Sequence, residues 1–172
     1  IPIPEKPADI STNKEARRSW RRVAARTHFE NERLKSKRLQ VMKVLHLCDK
    51  FSEDTLRYVI NLDFRARAYP VPYFLQPQGP SWVKSLLRFR NGKVLSDSGV
   101  ERLYINAANH WGLDKEPNAA RLEWAESNMG MIRAVGADPS GCMEWVQADD
   151  PWLFAAACEE INNMHEEGSG FR

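Results

Sequence analysis

The chain has 172 residues, 42% hydrophobic and 28% charged, which fits one soluble globular domain with a real core and is short for a large enzyme. No apolar run approaches the roughly 18 residues needed to cross a bilayer, so neither a membrane span nor a membrane partner is expected. The net charge of +2 hides an asymmetry: residues 11–50 carry a net +8, residues 51–100 a net +3 and residues 101–172 a net −8. Such polarity points to a basic surface for nucleic acid beside an ordinary acidic one.

The N-terminus, Ile1-Pro-Ile-Pro4, has no initiator Met and no basic-then-apolar leader. With the ending Gly168-Ser-Gly-Phe-Arg172, it leads to the expectation of a piece of a longer chain. Three cysteines (Cys48, Cys142, Cys158) without CxxC spacing imply neither a disulfide framework nor a zinc site, and a reducing intracellular setting is the simplest expectation.

The basic segment reads as helix. Asn13 can cap it, and no Pro or Gly interrupts residues 14–50. Trp20, Val23, Leu34, Val41 and Leu45 gather into an apolar stripe at helical spacing, expected to dock on a core. Arg18, Arg22, Arg26, Arg33 and Lys37 form a second stripe suited to a phosphate backbone. The bland alternative is a solvated basic face without a ligand. His28-Phe-Glu-Asn31 is an expected break between two helices.

Leu56, Tyr58, Ile60 and Leu62 alternate with Arg57, Val59 and Asn61, the pattern of a half-buried strand. Asp63-Phe-Arg-Ala66 then reads as a tight turn and Arg67 to Val71 as a returning strand, which Pro70 and Pro72 confine to an edge. Gln76-Pro-Gln-Gly-Pro80 is a loop, and Ser81 is positioned to cap a short helix over 82–90 that stops at Asn91-Gly92. Ser98-Gly-Val-Glu101 fits a capping box for a helix using Val100, Leu103, Tyr104, Ala107, Ala108 and Trp111 and ended by Gly112. Asn118 to Val135 reads as one amphipathic helix stopped by Gly136. Asp138-Pro139 opens a connector helix containing Trp145, and Asp150-Pro151 supplies a cap and first-turn proline for a last helix reaching about Met164. The expected architecture is mainly α with a small β-hairpin (α+β): a basic helical segment over 1–50, then a hairpin followed by helices over 51–172.

The densest chemistry lies in residues 61–79, where Asp63, Arg65, Arg67 and Tyr69 fall within seven residues. Arginine presents a flat, permanently charged fork, and two so close suggest a polyanionic ligand. The alternative is an ion pair with Asp63 that only pins the turn. Asp149 and Asp150 are adjacent acids, but Asp150 before Pro151 reads as a helix cap. The histidines (His28, His46, His110, His165) form no ligand pattern. The six tryptophans mostly read as core, Trp20 and Trp111 above all, with Trp152 open to either reading.

Taken in order, these segments resemble the single-subunit DNA-directed RNA polymerases of phages and mitochondria. That family carries Asp-x-Arg-Gly-Arg-x-Tyr and then Pro-Gln-Gly, similar to Asp63-Phe-Arg-Ala-Arg-Ala-Tyr69 and Pro77-Gln-Gly79. Asn109-His-Trp-Gly-Leu-Asp-Lys115 resembles the family's Asn-x-x-Gly-x-Asp-Lys and looks phage-like. The run from Ala148 to Glu160 resembles its acid-x-Pro-x-x-Phe-x-Ala-x-Cys-x-Glu helix. Trp20-Arg-Arg22 and Lys35-Ser-Lys-Arg38 resemble the stretch between thumb and palm. Two positions depart: Ala66 stands where the family has glycine between its arginines, and Ala107 stands where its Gly-Ala-Asn has glycine.

The resemblance implies part of a right-hand polymerase fold, from the end of the thumb into the palm and short of the first catalytic aspartate. It implies transcription of a DNA template into RNA from nucleoside triphosphates by the full-length protein, a monomer. The Mg2+ would be held by parts outside this chain, which alone would be inactive. Arg65, Arg67, Tyr69, Arg18, Arg22, Lys35, Lys37 and Arg38 would meet nucleic acid, Lys115 would meet nucleotide phosphates, and Asp63, Gln78, Gly79, Asn109 and Asp114 would support them. The setting would be intracellular, in the cytoplasm of a phage's host or, second, in a mitochondrion. A non-catalytic nucleic-acid-binding helical module is the alternative, and a helical domain meeting an acidic protein partner is the third. Steep loss of binding with salt separates the first two from the third.

Overall fold

The computed structural model describes residues 1–167, so the ending Gly168-Ser-Gly-Phe-Arg172 lies outside the described residues. The chain forms two compact units, Ile1–Asp54 and Thr55 onward.

The first unit is built on α1, Lys14–Lys50. Asn13 caps it, its side-chain oxygen accepting the N–H of Glu15 and Ala16 at 3.1 and 3.0 Å, which satisfies donors that no helical carbonyl reaches. The expected break at His28-Phe-Glu-Asn31 does not occur. Those residues remove no backbone donor, so the helix loses nothing by continuing. Asn31 instead turns its side chain to the N-terminal segment, donating from Nδ2 to Ile1 O at 2.8 Å, while Trp20 Nε1 donates to Pro4 O at 2.9 Å. Residues 1–4 thus run antiparallel along one side of α1, where Trp20 is half-buried and Ala24 buried. The apolar stripe differs from expectation: Val23, Leu34, Val41 and Leu45 are all exposed. Helical spacing groups residues on a face but says nothing of whether that face is covered.

The second unit opens with a hairpin of two short antiparallel strands, β1 (Ile60–Leu62) and β2 (Ala68–Pro70), in register Ile60 to Pro70, Asn61 to Tyr69 and Leu62 to Ala68. The expected half-buried strand from Leu56 is shorter and more open, with Ile60 and Leu62 51% and 64% exposed. A two-stranded ribbon has no second layer to cover its alternate side chains.

The helical body follows: α2 (Ser81–Lys84), α3 (Asp97–Ala108), a wide π-type turn (Asn109–Leu113), α4 (Asn118–Ser127), α5 (Met129–Ala137), a 3-10 turn (Met143–Gln147) and α6 (Pro151–Glu167). Phe154, Ala157, Cys158, Ile161 and Met164 of α6 are buried at helical spacing, and Ala107, Ala125, Ile132 and Val135 meet that face. Trp111 packs 5.2 Å from Phe154 and 5.4 Å from Trp124, closing one end of the core. Arg88 reaches Glu159 at 2.7 Å, and Tyr104 Oη lies 3.1 Å from His165 Nε2, tying neighbouring segments to α6. Trp152 is exposed, with its ring 5.1 Å from that of Trp145. No described helix is long and apolar enough to cross a membrane.

Four local expectations give way to packing. The helix after Ser81 ends at Lys84 rather than 90, and the Ser81 hydroxyl donates to Asp150 Oδ1 at 2.8 Å instead of capping its own helix. The helix predicted from Ser98 starts at Asp97, and Ser98 makes no capping box: its hydroxyl lies 3.1 Å from that of Ser96, the N-cap residue. The span from Asn118 is two helices divided at Asn128, whose φ of −107° and ψ of 15° leave the helical range. Gly136 does not stop the second of these but lies inside it. A Cβ there would overlap Cys158 O and come within 2.8 Å of Asn162 Cβ, so the glycine lets α5 press against α6. Gly136→Ala is therefore expected to lower stability by about 1–3 kcal/mol, read as a lower urea midpoint at unchanged m-value.

Candidate nucleic-acid and nucleotide interface

The hairpin turn is a three-residue loop in which Ala66 N–H donates to Asp63 O and Asp63 N–H donates to Arg67 O, both at 3.0 Å. Loops of this kind end in a left-handed residue, and Ala66 holds that place with φ of 57°. The Asp63 carboxylate organises the rest. Its Oδ1 accepts the backbone N–H of Arg65 at 2.8 Å and of Arg67 at 3.0 Å. Its Oδ2 accepts Arg67 Nε at 2.8 Å and Nη2 at 2.7 Å, with Tyr69 Oη at 3.4 Å. These donors, led by the Arg67 N–H, hold the carboxyl below its ordinary value.

The two arginines therefore differ. Arg67 is committed to Asp63 and lies 5.7 Å over the Tyr69 ring. Arg65 rests its guanidinium 5.2 Å over the ring of Phe64, itself 90% exposed, and makes no ion pair among the described residues. Gln78 braces the returning strand, donating from Nε2 to Ala68 O at 2.8 Å, and Gly79 N–H closes the loop on Gln76 O at 3.1 Å.

A second exposed cation, Lys115, stands beyond the π-type turn. Gly112 makes that turn at φ of 125°, a conformation that suits residues without a Cβ, and a Cβ there would come within 2.9 Å of Asp149 Oδ2. Asp149 and Asp150 donate their N–H groups to Trp111 O and His110 O at 3.3 and 3.0 Å. His110 is held below its ordinary pKa chiefly by burial, opposed by the Asp150 carboxylate and reinforced by Lys84. Asn109 accepts Arg121 Nη1 at 2.9 Å on its side-chain oxygen, and Asp114 accepts Arg121 Nη2 at 2.7 Å on its backbone carbonyl.

Sequence reasoning does not single out Arg121, although a signal exists. It sits in the first turn of α4, where a cation opposes the helix dipole, so it must find acceptors outside the helix. On α1, Arg18, Arg22, Lys35, Lys37 and Arg38 are exposed and make no ion pair among the described residues, whereas Arg33 meets Glu30 at 3.5 Å. No group of three or more His, Cys, Asp or Glu among the described residues is arranged to hold a metal ion. Of the two adjacent acids, Asp150 accepts the Ser81 hydroxyl on Oδ1 and Asp149 lies beside Gly112.

Residues 93–171 match the sequence profile of the DNA-dependent RNA polymerase family. The chain is 34% identical over 170 residues to a DNA-directed RNA polymerase of Enterobacteria phage K11, covering 98% of this chain and 19% of that one. T7 RNA polymerase of Escherichia phage T7 is 33% identical over the same shares. A mitochondrial DNA-directed RNA polymerase of Neurospora crassa is 32% identical over 160 residues, 92% of this chain and 11% of that one. The chain thus spans about a fifth or less of the curated relatives it matches.

Two measurements test the turn. Ala66→Gly removes a left-handed alanine worth about 1 kcal/mol of strain, partly offset by the greater freedom of glycine in the unfolded chain, so a net rise in stability of about 0.5 kcal/mol is expected on chemical denaturation. Because the folded-state pKa of Asp63 is lowered, its contribution is complete above the ordinary carboxylate range and is lost as pH falls through the lowered value. Titration of the Arg67 Nε–H resonance by NMR should follow that loss, and Asp63→Asn should abolish the acid limb.

Proposed function

The chain belongs to the single-subunit DNA-directed RNA polymerases, and we propose that the protein it forms part of transcribes a DNA template into RNA from nucleoside triphosphates. In this reading the segment supplies phosphate contacts and no chemistry of its own. The Mg2+ that activates and clamps the reacting oxygens in phosphoryl transfer is held by carboxylates outside these residues.

The observation that carries the reading is the unequal state of the two hairpin arginines. Arg67 is neutralised by Asp63, while Arg65 stands beside it with its fork uncommitted. Arg65 therefore meets the phosphate backbone of the template or the RNA–DNA hybrid, and Arg67, Asp63 and Tyr69 fix the turn that carries it. Gln78 and Gly79 brace the returning strand. The exposed cations Arg18, Arg22, Lys35, Lys37 and Arg38 track phosphates along α1. Lys115 faces the phosphates of the incoming nucleotide from a turn organised by Asn109 and the backbone of Asp114. A compact ammonium on a flexible stem suits that role as a point charge.

The test is the salt dependence of template binding by the full-length polymerase. Arg65→Ala should weaken binding alike on all template sequences and lower the log–log salt slope by about 0.7–0.9. Arg67→Ala should instead act mainly through stability of the hairpin. An unchanged slope for the Arg65 variant would remove Arg65 from the interface.

A further inference from the structure

Among the described residues, the hydrogen bonds donated by the Arg121 side chain all land on the turn that carries Lys115. Nη2 reaches Asp114 O at 2.7 Å and Nε reaches Glu116 O at 2.7 Å, the carbonyls of the residues immediately before and after Lys115. Nη1 reaches Asn109 Oδ1 at 2.9 Å, where α3 passes into the π-type turn. One planar group thus ties the entry of the turn to both residues flanking Lys115. We propose that Arg121 is a positioning residue that fixes the backbone beneath Lys115, so that its ammonium meets the nucleotide phosphates from a preset base.

Three features favour this over a purely structural staple. Lys115 is exposed and makes no ion pair among the described residues, so its own side chain does nothing to set where its flexible stem starts. The turn takes its shape through Gly112 at φ of 125°, and the backbone N–H groups of Asp149 and Asp150 hold its other side. A guanidinium has donors in a rigid fork that can meet all three acceptors together, whereas an ammonium is a single point with freely turning donors. A contact that is only as good as its placement loses strength when the base of the side chain wanders.

The inference rests on the reading of Lys115 as a nucleotide-phosphate contact, and the test keeps the two apart. In the full-length polymerase, Lys115→Ala, Arg121→Ala, Arg121→Lys, Asn109→Ala and the Lys115→Ala/Arg121→Ala pair are compared by KM for nucleoside triphosphate and kcat on one template. Template affinity and thermal midpoint serve as controls. Lys115→Ala and Arg121→Ala should each raise KM about tenfold, and the pair should be no worse than either alone, because both remove the same interaction. Arg121→Lys should fail to restore KM, and Asn109→Ala should raise it by a smaller factor. If Lys115→Ala leaves KM unchanged, the reading of Lys115 falls and this inference falls with it. If Lys115→Ala raises KM while Arg121→Ala does not, or the two effects multiply in the pair, Arg121 is only structural and the Lys115 reading stands. Should Arg121→Ala not fold, Arg121→Lys decides: wild-type KM in that variant overturns the proposal.

Discussion

The second unit depends on covering one face of α6. Phe154, Ala157, Cys158, Ile161 and Met164 recur at three- and four-residue intervals, and leaving such a stripe in water would forfeit about 1.5–3 kcal/mol for each large side chain. Each neighbouring helix answers that requirement in its own way. α5 comes close enough to need Gly136, α3 offers the small side chain of Ala107, and the π-type turn brings Trp111 against Phe154. Burial also pushes the Cys158 thiol up to about 12, so this cysteine is an inert part of the packing.

Both candidate contacts stand on turns, and both turns are held by the same device. A charged side chain uses its charge on the backbone of the turn and on neighbouring side chains. Asp63 gathers two N–H groups and the Arg67 fork, and Arg121 gathers two carbonyls and the Asn109 amide. The polarity is opposite in the two places, acid collecting donors in one and base collecting acceptors in the other. The result is alike: a neighbouring cation, Arg65 or Lys115, is left exposed and without an ion pair among the described residues. Since exposed ion pairs contribute little to stability, the value of these arrangements lies in fixing shape.

Sequence is most legible where the physics is local. The Asn13 cap, the Asp63 turn and the Asp150-Pro151 helix start each depend on a few consecutive residues, and each can be read from those residues alone. It is least legible where the outcome depends on what lies opposite. Ser81 and Ser98 both look like helix caps, yet one hydroxyl goes to Asp150, sixty-nine residues away, and the other faces Ser96. The division at Asn128 and the place of Gly136 inside α5 go with α4 packing on α3 while α5 packs on α6, which no window of eighteen residues contains. For the candidate site, motifs suffice to point to the hairpin and to Lys115. Which arginine is free, and that Arg121 holds the second turn, depend on how side chains meet in space.

Ala66 shows why a departure from a family pattern need not unmake a turn. Glycine is favoured in the left-handed region because a Cβ there crowds the following carbonyl, at roughly 1–2 kcal/mol. That strain is confined to one residue, while the turn is held by several bonds that do not involve the Ala66 side chain. Asp63 alone accepts from two backbone N–H groups and from the Arg67 fork, and the Asp63–Arg67 and Ala66–Asp63 backbone bonds close the loop on either side. A conformation fixed from so many directions can carry one unfavourable φ without changing shape. The alanine therefore lowers the stability of the hairpin without moving Arg65, because the position of Arg65 is set by its own N–H on Asp63 and not by the residue that follows it.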